Sequence, residues 1–265
     1  MLIIGERINT SRPPMEEPVR EKNIEFLLAE ARKQVECGAD YLDVNTATMM
    51  ELEEEYITWA ITTIQQAIDI PICIDSPNPR ALEAGLRAVK GSPILNSINL
   101  EAKRVEAILP LVRDYRPGVI ALCMDDSGMP VTVEDRMRHA SKLVELLLGA
   151  GISISDIYID PILLPIGADP KSAIVALDAI QKIMESFPGI HTSCGLSNIS
   201  FGLPLRKLIN QNFLTAAMAR GLDAPILDPC DQRLMSNLIT TEMILGQDDN
   251  CLGYINAYRK ERLVL

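Results

Sequence analysis

Short apolar runs alternate along the whole chain with longer stretches of helical periodicity. The runs lie at residues 2–5, 41–45, 72–75, 94–96, 119–124, 157–160, 190–194 and 224–227. They are rich in Ile, Leu and Val and bounded by Gly, Pro, Asp and Asn, which reads as eight buried strands. Between them the spacing turns to 3.6. One stretch places Ile24, Leu27, Leu28, Ala31 and Val35 on a single face before Gly38; another does so with Ile57, Ala60, Ile61, Ile64 and Ile68. Start signals agree: Asn78-Pro79 and Asp169-Pro170 each set a capping side chain ahead of a proline. Thr132 and Asp135 have capping-box spacing, and Gly91 and Gly221 stand where helices should stop. Pro110, inside a helix expected over 101–114, is a local misfit. Eight β/α units without a linker predict one closed (β/α)8 TIM barrel spanning 1–265. The alternative is an open doubly wound sheet, but no GxGxxG follows the first strand, which weakens its dinucleotide-binding form.

Composition fits this reading. The chain has 265 residues, 48% of them hydrophobic and only 4% aromatic. Barrels of this type run to roughly 250 residues as one unit, and an aliphatic core suits parallel strands covered by helices. Lys and Arg number 25 against 36 Asp and Glu, a net charge of −11. Such a field opposes nucleic acid and anionic membranes as partners, but leaves room for a small anion held by a local cation. Six cysteines show no CxxC or Cys/His ligand spacing, so reduced thiols of a cytoplasmic protein are expected. The opening Met1-Leu-Ile-Ile-Gly-Glu-Arg7 carries no signal-peptide pattern, and no apolar run reaches about 18 residues. Neither a leader nor a membrane span is expected.

A barrel keeps its chemistry at the C-terminal ends of its strands. Those positions hold Glu6 to Asn9, Asp43 to Asn45, Asp75-Ser76, Asn96-Ser97, Met124 to Asp126, Asp160-Pro161, Ser197-Asn198 and Asp228. Any one of them is an ordinary turn or cap residue. Together they make one mouth rich in carboxylates and amides, and inward carboxylates call for a ligand with several N–H groups. The two histidines, His139 and His191, fall within helix and strand patterns and read as structural, so a hydrolytic triad is not expected. A catalytic zinc site would want more histidines. A carboxylate-held magnesium ion is an alternative, but the asparagines point to an organic heterocycle, and no metal ligand set is assigned.

Six segments carry a family likeness: Gly5-Glu-Arg-Ile-Asn9, Leu42-Asp-Val-Asn45, Cys73-Ile-Asp-Ser76, Leu95-Asn-Ser97, Tyr158-Ile-Asp-Pro161 and Gly195-Leu-Ser-Asn-Ile-Ser200. In that order, with Asp223 to Asp228 following, the chain resembles the pterin-binding methyltransferases over essentially its whole length. The likeness is nearest to those acting between methyltetrahydrofolate and a corrinoid protein. It implies a (β/α)8 barrel, usually a homodimer. It further implies that Asp75, Asn96 and Asp160 hydrogen-bond the pterin ring, with Asp160 at the 2-amino/N3 edge. Gly195, Ser197 and Ile226 would line the pocket, and Asn198 would be the catalytic group at N5. Glu6, Asn9, Asp43, Met124, Phe201 and Arg206 are further candidates. Phe201 departs from the family, where a polar residue is expected. The two prolines of Ser76-Pro-Asn-Pro79 also reshape the loop after the third strand. Arg206 and Lys207 would either meet the anionic tail of folate or serve as ordinary solvated charges at a helix start.

The implied chemistry is demanding. A methyl group on a tertiary amine is a poor electrophile, because its leaving group would be an amide-like anion. Protonating or strongly hydrogen-bonding N5 turns that leaving group into a neutral amine, and cobalt(I) of a reduced corrinoid is the matching nucleophile. Asn198 is neither acid nor base, so its expected contribution is positioning and transition-state electrostatics. With no histidine at hand, solvent is the expected proton source. No Asp-x-His-x-x-Gly corrinoid motif occurs, so the corrinoid (cobalamin) is expected on a separate protein. Direction stays open. Two rival readings are a dihydropteroate synthase, disfavoured because Ser197 is followed by Asn198-Ile199 rather than Arg-Lys, and a catalytically idle pterin-binding subunit.

Overall fold

The computed structural model of the chain describes residues 1–264. Eight parallel strands close into a barrel in the order β1 (Ile4–Asn9), β2 (Tyr41–Asn45), β3 (Ile72–Asp75), β4 (Ile94–Leu100), β5 (Gly118–Asp125), β6 (Ile157–Asp160), β7 (His191–Gly195) and β8 (Ala224–Leu227), with β8 pairing back on β1. This is the (β/α)8 architecture the alternation predicts, and the open sheet is excluded by the closing pair.

Helices cover the strands outside: α1 (Pro13–Arg20), α2 (Ile24–Glu36), α3 (Glu53–Ala67), α4 (Pro79–Ala88), α5 (Ala102–Tyr115), α6 (Val133–Gly149), α7 (Ser172–Ser186), α8 (Arg206–Met218), α9 (Gln232–Ile244) and α10 (Leu252–Arg259). The expected caps form. Asn78 accepts from the Arg80 amide, and Thr132 and Asp135 exchange both bonds of a capping box. Helix α5 runs through Pro110, whose ring sits on the exposed face, where water can serve the freed carbonyl. The start expected at Pro170 lies two residues later, at Ser172. Asp169 spends its carboxylate on the Lys171 amide in a turn instead of capping the helix.

Strand alternation builds two layers inside the barrel. Ile4, Cys73, Ile94, Ile120, Tyr158 and Ala224, with Tyr41 packed against them, form an apolar floor. The outward residues between, such as Leu42, Ile72, Ile74, Leu95, Val119 and Ile159, pack under the helices. Gly85 on α4 permits one close approach there, since a Cβ at that position would lie 2.7 Å from Cγ2 of Ile74.

Two strands extend past the apolar runs that mark them. β1 continues to Asn9 because a register shift between Gly5 and Ile8 inserts an extra residue. The shift lets Ile4 and Glu6 face the barrel while Ile8 returns to the outer core. β4 runs on to Leu100 with two further irregularities against β5. β7 begins and ends one residue later than expected, and Leu196–Ser200 form a short 3-10 turn after it.

Candidate active site

Two residues beyond each floor position, the same strands present a second inward layer. Ile4, Tyr41, Cys73, Ile94, Ile120, Tyr158, Ser193 and Ala224 are followed by Glu6, Asp43, Asp75, Asn96, Leu122, Asp160, Gly195 and Ile226. All eight of the latter line one cavity of about 610 Å³ at the C-terminal mouth. The floor is mainly apolar, with Ser193 as its polar member, and the layer above it is mainly carboxylate and amide, so the polarity changes in one step of the pleat.

The polar groups hold one another in place. Asn96 Nδ2 donates to Asp43 Oδ1 at 3.2 Å, and Asn45 Nδ2 donates to Asp75 Oδ2 at 2.8 Å. Asp160 Oδ1 accepts the Ile162 amide at 2.7 Å. The fully buried Arg136 of α6 donates to the carbonyls of Pro161 (2.7 Å) and Ile162 (3.2 Å), fixing the loop after β6. Ile162 sits there at φ +66°, an unfavourable conformation for a β-branched residue. Arg104 of α5 does similar work between β3 and β4, donating to the carbonyls of Ser76, Pro77 and Ser97.

Burial shifts the carboxyls. Asp160 is pushed up to about 7 and Asp75 to about 6, each mainly by removal from water. Asp43 lies well above the usual carboxylate range through burial and then the nearby charge of Asp75. Glu6 is raised by burial, and Asp228 adds to the rise. A mouth of this kind gains most from a neutral ligand whose N–H groups replace the water the carboxylates have lost.

The turn after β7 closes one side. Ser197 Oγ donates to Glu6, 2.8 Å from Oε1 and 3.1 Å from Oε2. Arg206 of α8 clamps the turn with one bond to the Ser197 carbonyl at 2.7 Å and one to Ser200 Oγ at 3.1 Å. Asn198 is exposed at the rim, and a Cβ on Gly195 would lie 3.0 Å from its Nδ2, so the glycine leaves room for the amide.

Of the residues singled out in the sequence, Glu6, Asn9, Asp43, Asp75, Asn96, Asp160, Gly195, Ser197, Asn198, Arg206 and Ile226 meet in this cavity. Met124 and Phe201 are not among its lining. Leu122 is the β5 residue in the wall, because the inward layer falls two positions before Met124. Phe201 is 67% exposed outside the pocket, with the Arg206 guanidinium 5.9 Å from its ring centroid. Asp125 and Asp126 serve structure: Asp125 meets His139 and the Ser127 amide, and Asp126 accepts the first amide of α5. His191 pairs with Asp223 at 2.7 Å, and the six cysteines are unbridged, in keeping with their structural reading. Sequence reasoning missed Arg12, Asn210, Asp231 and Leu234 in the lining. These sit on loops and helix starts, where no strand pattern marks them. Arg206 and Lys207, at the start of α8, bring cations to a mouth whose own turn lacks the Arg-Lys pair.

The family model described as "Pterin binding enzyme" matches residues 5–228, from the head of β1 to the end of β8. A methylcorrinoid:tetrahydrofolate methyltransferase of Eubacterium limosum is 36% identical over 99% of this chain and 98% of its own length. A methionine synthase of Mycobacterium leprae is 30% identical over 86% of the chain, which spans only 20% of that much longer protein. Among solved structures, a dihydropteroate synthase of Xanthomonas albilineans superposes with a TM-score of 0.69 at 19% identity, covering 92% of both chains. One from Coxiella burnetii does so at 0.68 and 18%, covering 91% of this chain and 94% of its own; at such identities these two speak for the barrel alone. With the family model covering the strand ends that build the mouth, and a full-length relative at this identity, the chain belongs to the pterin-binding enzymes and, within them, to the methyltransferases.

Proposed function

We propose that the enzyme moves a methyl group from a methylated corrinoid, carried on a separate protein, to N5 of tetrahydrofolate. The observation that carries this reading is the single cavity in which Asp75, Asn96 and Asp160 converge with Asn198. The first three offer the acceptors that a pterin's 2-amino and N3 hydrogens require, and Asp160 is suited to that edge because a carboxylate accepts two N–H bonds. Leu122 and Ile226 supply apolar wall for the ring faces. Asn198 lies above Gly195, where its amide can follow N5 as that atom loses one substituent and gains another.

The direction is supported by the E. limosum relative, whose name puts the methylcorrinoid first and tetrahydrofolate second. Reversibility requires the same groups to serve the opposite transfer. When docked, the corrinoid partner supplies a cobalt-bound methyl group and takes back the bond's electron pair. This chain's residues bind the pterin, orient N5 and handle its proton. The span 1–265 acts as one pterin-binding barrel domain, forms a homodimer and works in the cytoplasm. Among the described residues no helix is long and apolar enough to cross a membrane.

The test is spectroscopic. Protein mixed with methylcobalamin and tetrahydrofolate should consume the methylcobalamin band, and cob(I)alamin with methyltetrahydrofolate should regenerate it. Absence of conversion both ways, with free and protein-bound corrinoids, overturns the reading. An idle binding subunit would show that absence while still binding pterin.

A further inference from the structure

We propose that Glu6 is the group that exchanges the N5 proton, acting through the hydroxyl of Ser197. The inference rests on the methyl-transfer reading and adds the proton path that reading lacks.

Three observations carry it. First, both carboxylate oxygens of Glu6 lie within hydrogen-bond distance of Ser197 Oγ, in the residue next to Asn198. Glu6 therefore reaches from β1 across the β8 residue Ile226 to the one turn that bears the N5-directed amide. Second, strand alternation from Ile4 puts Glu6 into the barrel, while Arg7 pairs with Glu30 and Asp228. Among the described residues no ion pair neutralises Glu6, and its side chain is spent on a hydroxyl that can both accept and donate a proton. Third, the other inward acids are committed elsewhere. Asp43 accepts from Asn96, Asp75 from Asn45, and Asp160 from the Ile162 amide.

The surroundings poise Glu6 to hold a proton. Burial lifts its pKa above the usual carboxylate value, opposed first by the Ser197 hydrogen bond. Asp228, from the end of β8, adds to the rise, while Arg12 of the β1–α1 loop and Arg206 of α8 oppose it. Asp43 on β2 also feels the Glu6 charge. A group shifted toward neutrality both takes and returns a proton efficiently.

The step balances. The N5 lone pair forms the new N–CH3 bond, and the electron pair of the carbon–cobalt bond stays with the corrinoid. The proton on N5 passes to Ser197 Oγ as the Ser197 hydroxyl proton passes to Glu6. In the opposite transfer, protonated Glu6 returns that proton while the C–N pair settles on N5.

The experiment uses the full chain with methylcobalamin and tetrahydrofolate, followed from pH 5 to 9. Glu6→Gln keeps an acceptor for Ser197 but cannot carry the proton. It should lower the transfer rate by about 10²-fold or more and, at saturating tetrahydrofolate, change the pH profile of the rate by removing the part that Glu6 ionisation gives the wild type. The dissociation constant for tetrahydrofolate should change by less than about threefold. Ser197→Ala should lose rate in parallel, and Ser197→Thr, which restores a hydroxyl, should recover it. A Glu6→Gln rate within about threefold of wild type overturns the assignment. So does an unchanged pH inflection, or a loss of binding equal to the loss of rate. If Glu6→Gln does not fold, the Ser197 pair decides: Ala and Thr variants that behave alike overturn it. A wild-type protein inert toward every corrinoid removes the methyl-transfer reading and this inference with it, whereas an active wild type with an indifferent Glu6→Gln removes this inference alone.

Discussion

The side-chain amide of Asn96 on β4 donates to the carboxylate of Asp43 on β2, 3.2 Å away and across the intervening strand β3. The bond fixes which way the Asn96 amide points. Its nitrogen is committed to Asp43, so Oδ1 is the atom left to accept from a ligand. Replacing Asp43 with Ala should free the amide to turn and weaken pterin binding about two- to tenfold, the usual net worth of one such bond. Titration calorimetry with tetrahydrofolate measures this. Unchanged affinity would mean that Asn96 keeps its orientation without Asp43, or does not meet the ligand.

Proton linkage gives a second prediction. Asp160 and Asp75 are held up to about 7 and 6 by burial, above the unfolded value of roughly 3.9. Between about pH 4 and pH 7 the native state therefore binds more protons than the unfolded chain, and stability falls as pH rises through that window. The ligand-free protein should melt at a higher temperature at pH 5 than at pH 7.5, and Asp160→Asn should flatten the difference. Asp125 and Asp135, lowered to about 2 by their hydrogen bonds, contribute the opposite trend, but only below about pH 4. Pterin N–H groups favour the ionised carboxylates, so binding near pH 6 should release protons. Calorimetry in buffers of different ionisation enthalpy reads that release, and a buffer-independent enthalpy would contradict it.

Asn198 and Gly195 form a paired test. Asn198→Ala removes the amide and should slow methyl transfer by about 10²–10³-fold, with a smaller loss of pterin affinity. Gly195→Ala keeps the amide but sets a methyl group 3.0 Å from its Nδ2, so the side chain must shift by a few tenths of an ångström. Single-turnover rates for Gly195→Ala should fall between wild type and Asn198→Ala, and the double variant should be no slower than Asn198→Ala. Full additivity would mean that the glycine serves the ring rather than the amide.

The sequence announces the barrel because buried parallel strands are apolar on both faces and stand out as runs. It announces Asp43, Asp75, Asn96 and Asp160 because each breaks such a run at its end. Leu122 escapes notice for the converse reason: it is apolar within an apolar strand, and only the layer count separates it from Met124. The Glu6–Ser197 bond joins residues 191 apart, on β1 and on the turn after β7, and no local pattern encodes that pairing. Arg104 and Arg136 look like ordinary helix-surface charges in sequence. Only the packing of α5 and α6 against the strand ends turns their guanidinium groups onto loop carbonyls.

Arg136 gives the last prediction. Its side chain is 1% exposed, and its guanidinium donates to the carbonyls of Thr132, Pro161 and Ile162. Those bonds hold the β6–α7 loop at the strained Ile162, whose amide in turn grips Asp160. Arg136→Met has similar reach and no donors, so it leaves buried carbonyls unpaired and should cost about 3 kcal/mol of stability. Arg136→Lys restores the charge but not the fork, and should recover only part of the loss. Because the loop also sets the Asp160 carboxylate, pterin affinity measured on the folded fraction should fall with stability in both variants. A destabilised protein with wild-type affinity would show that Arg136 braces the barrel without orienting Asp160.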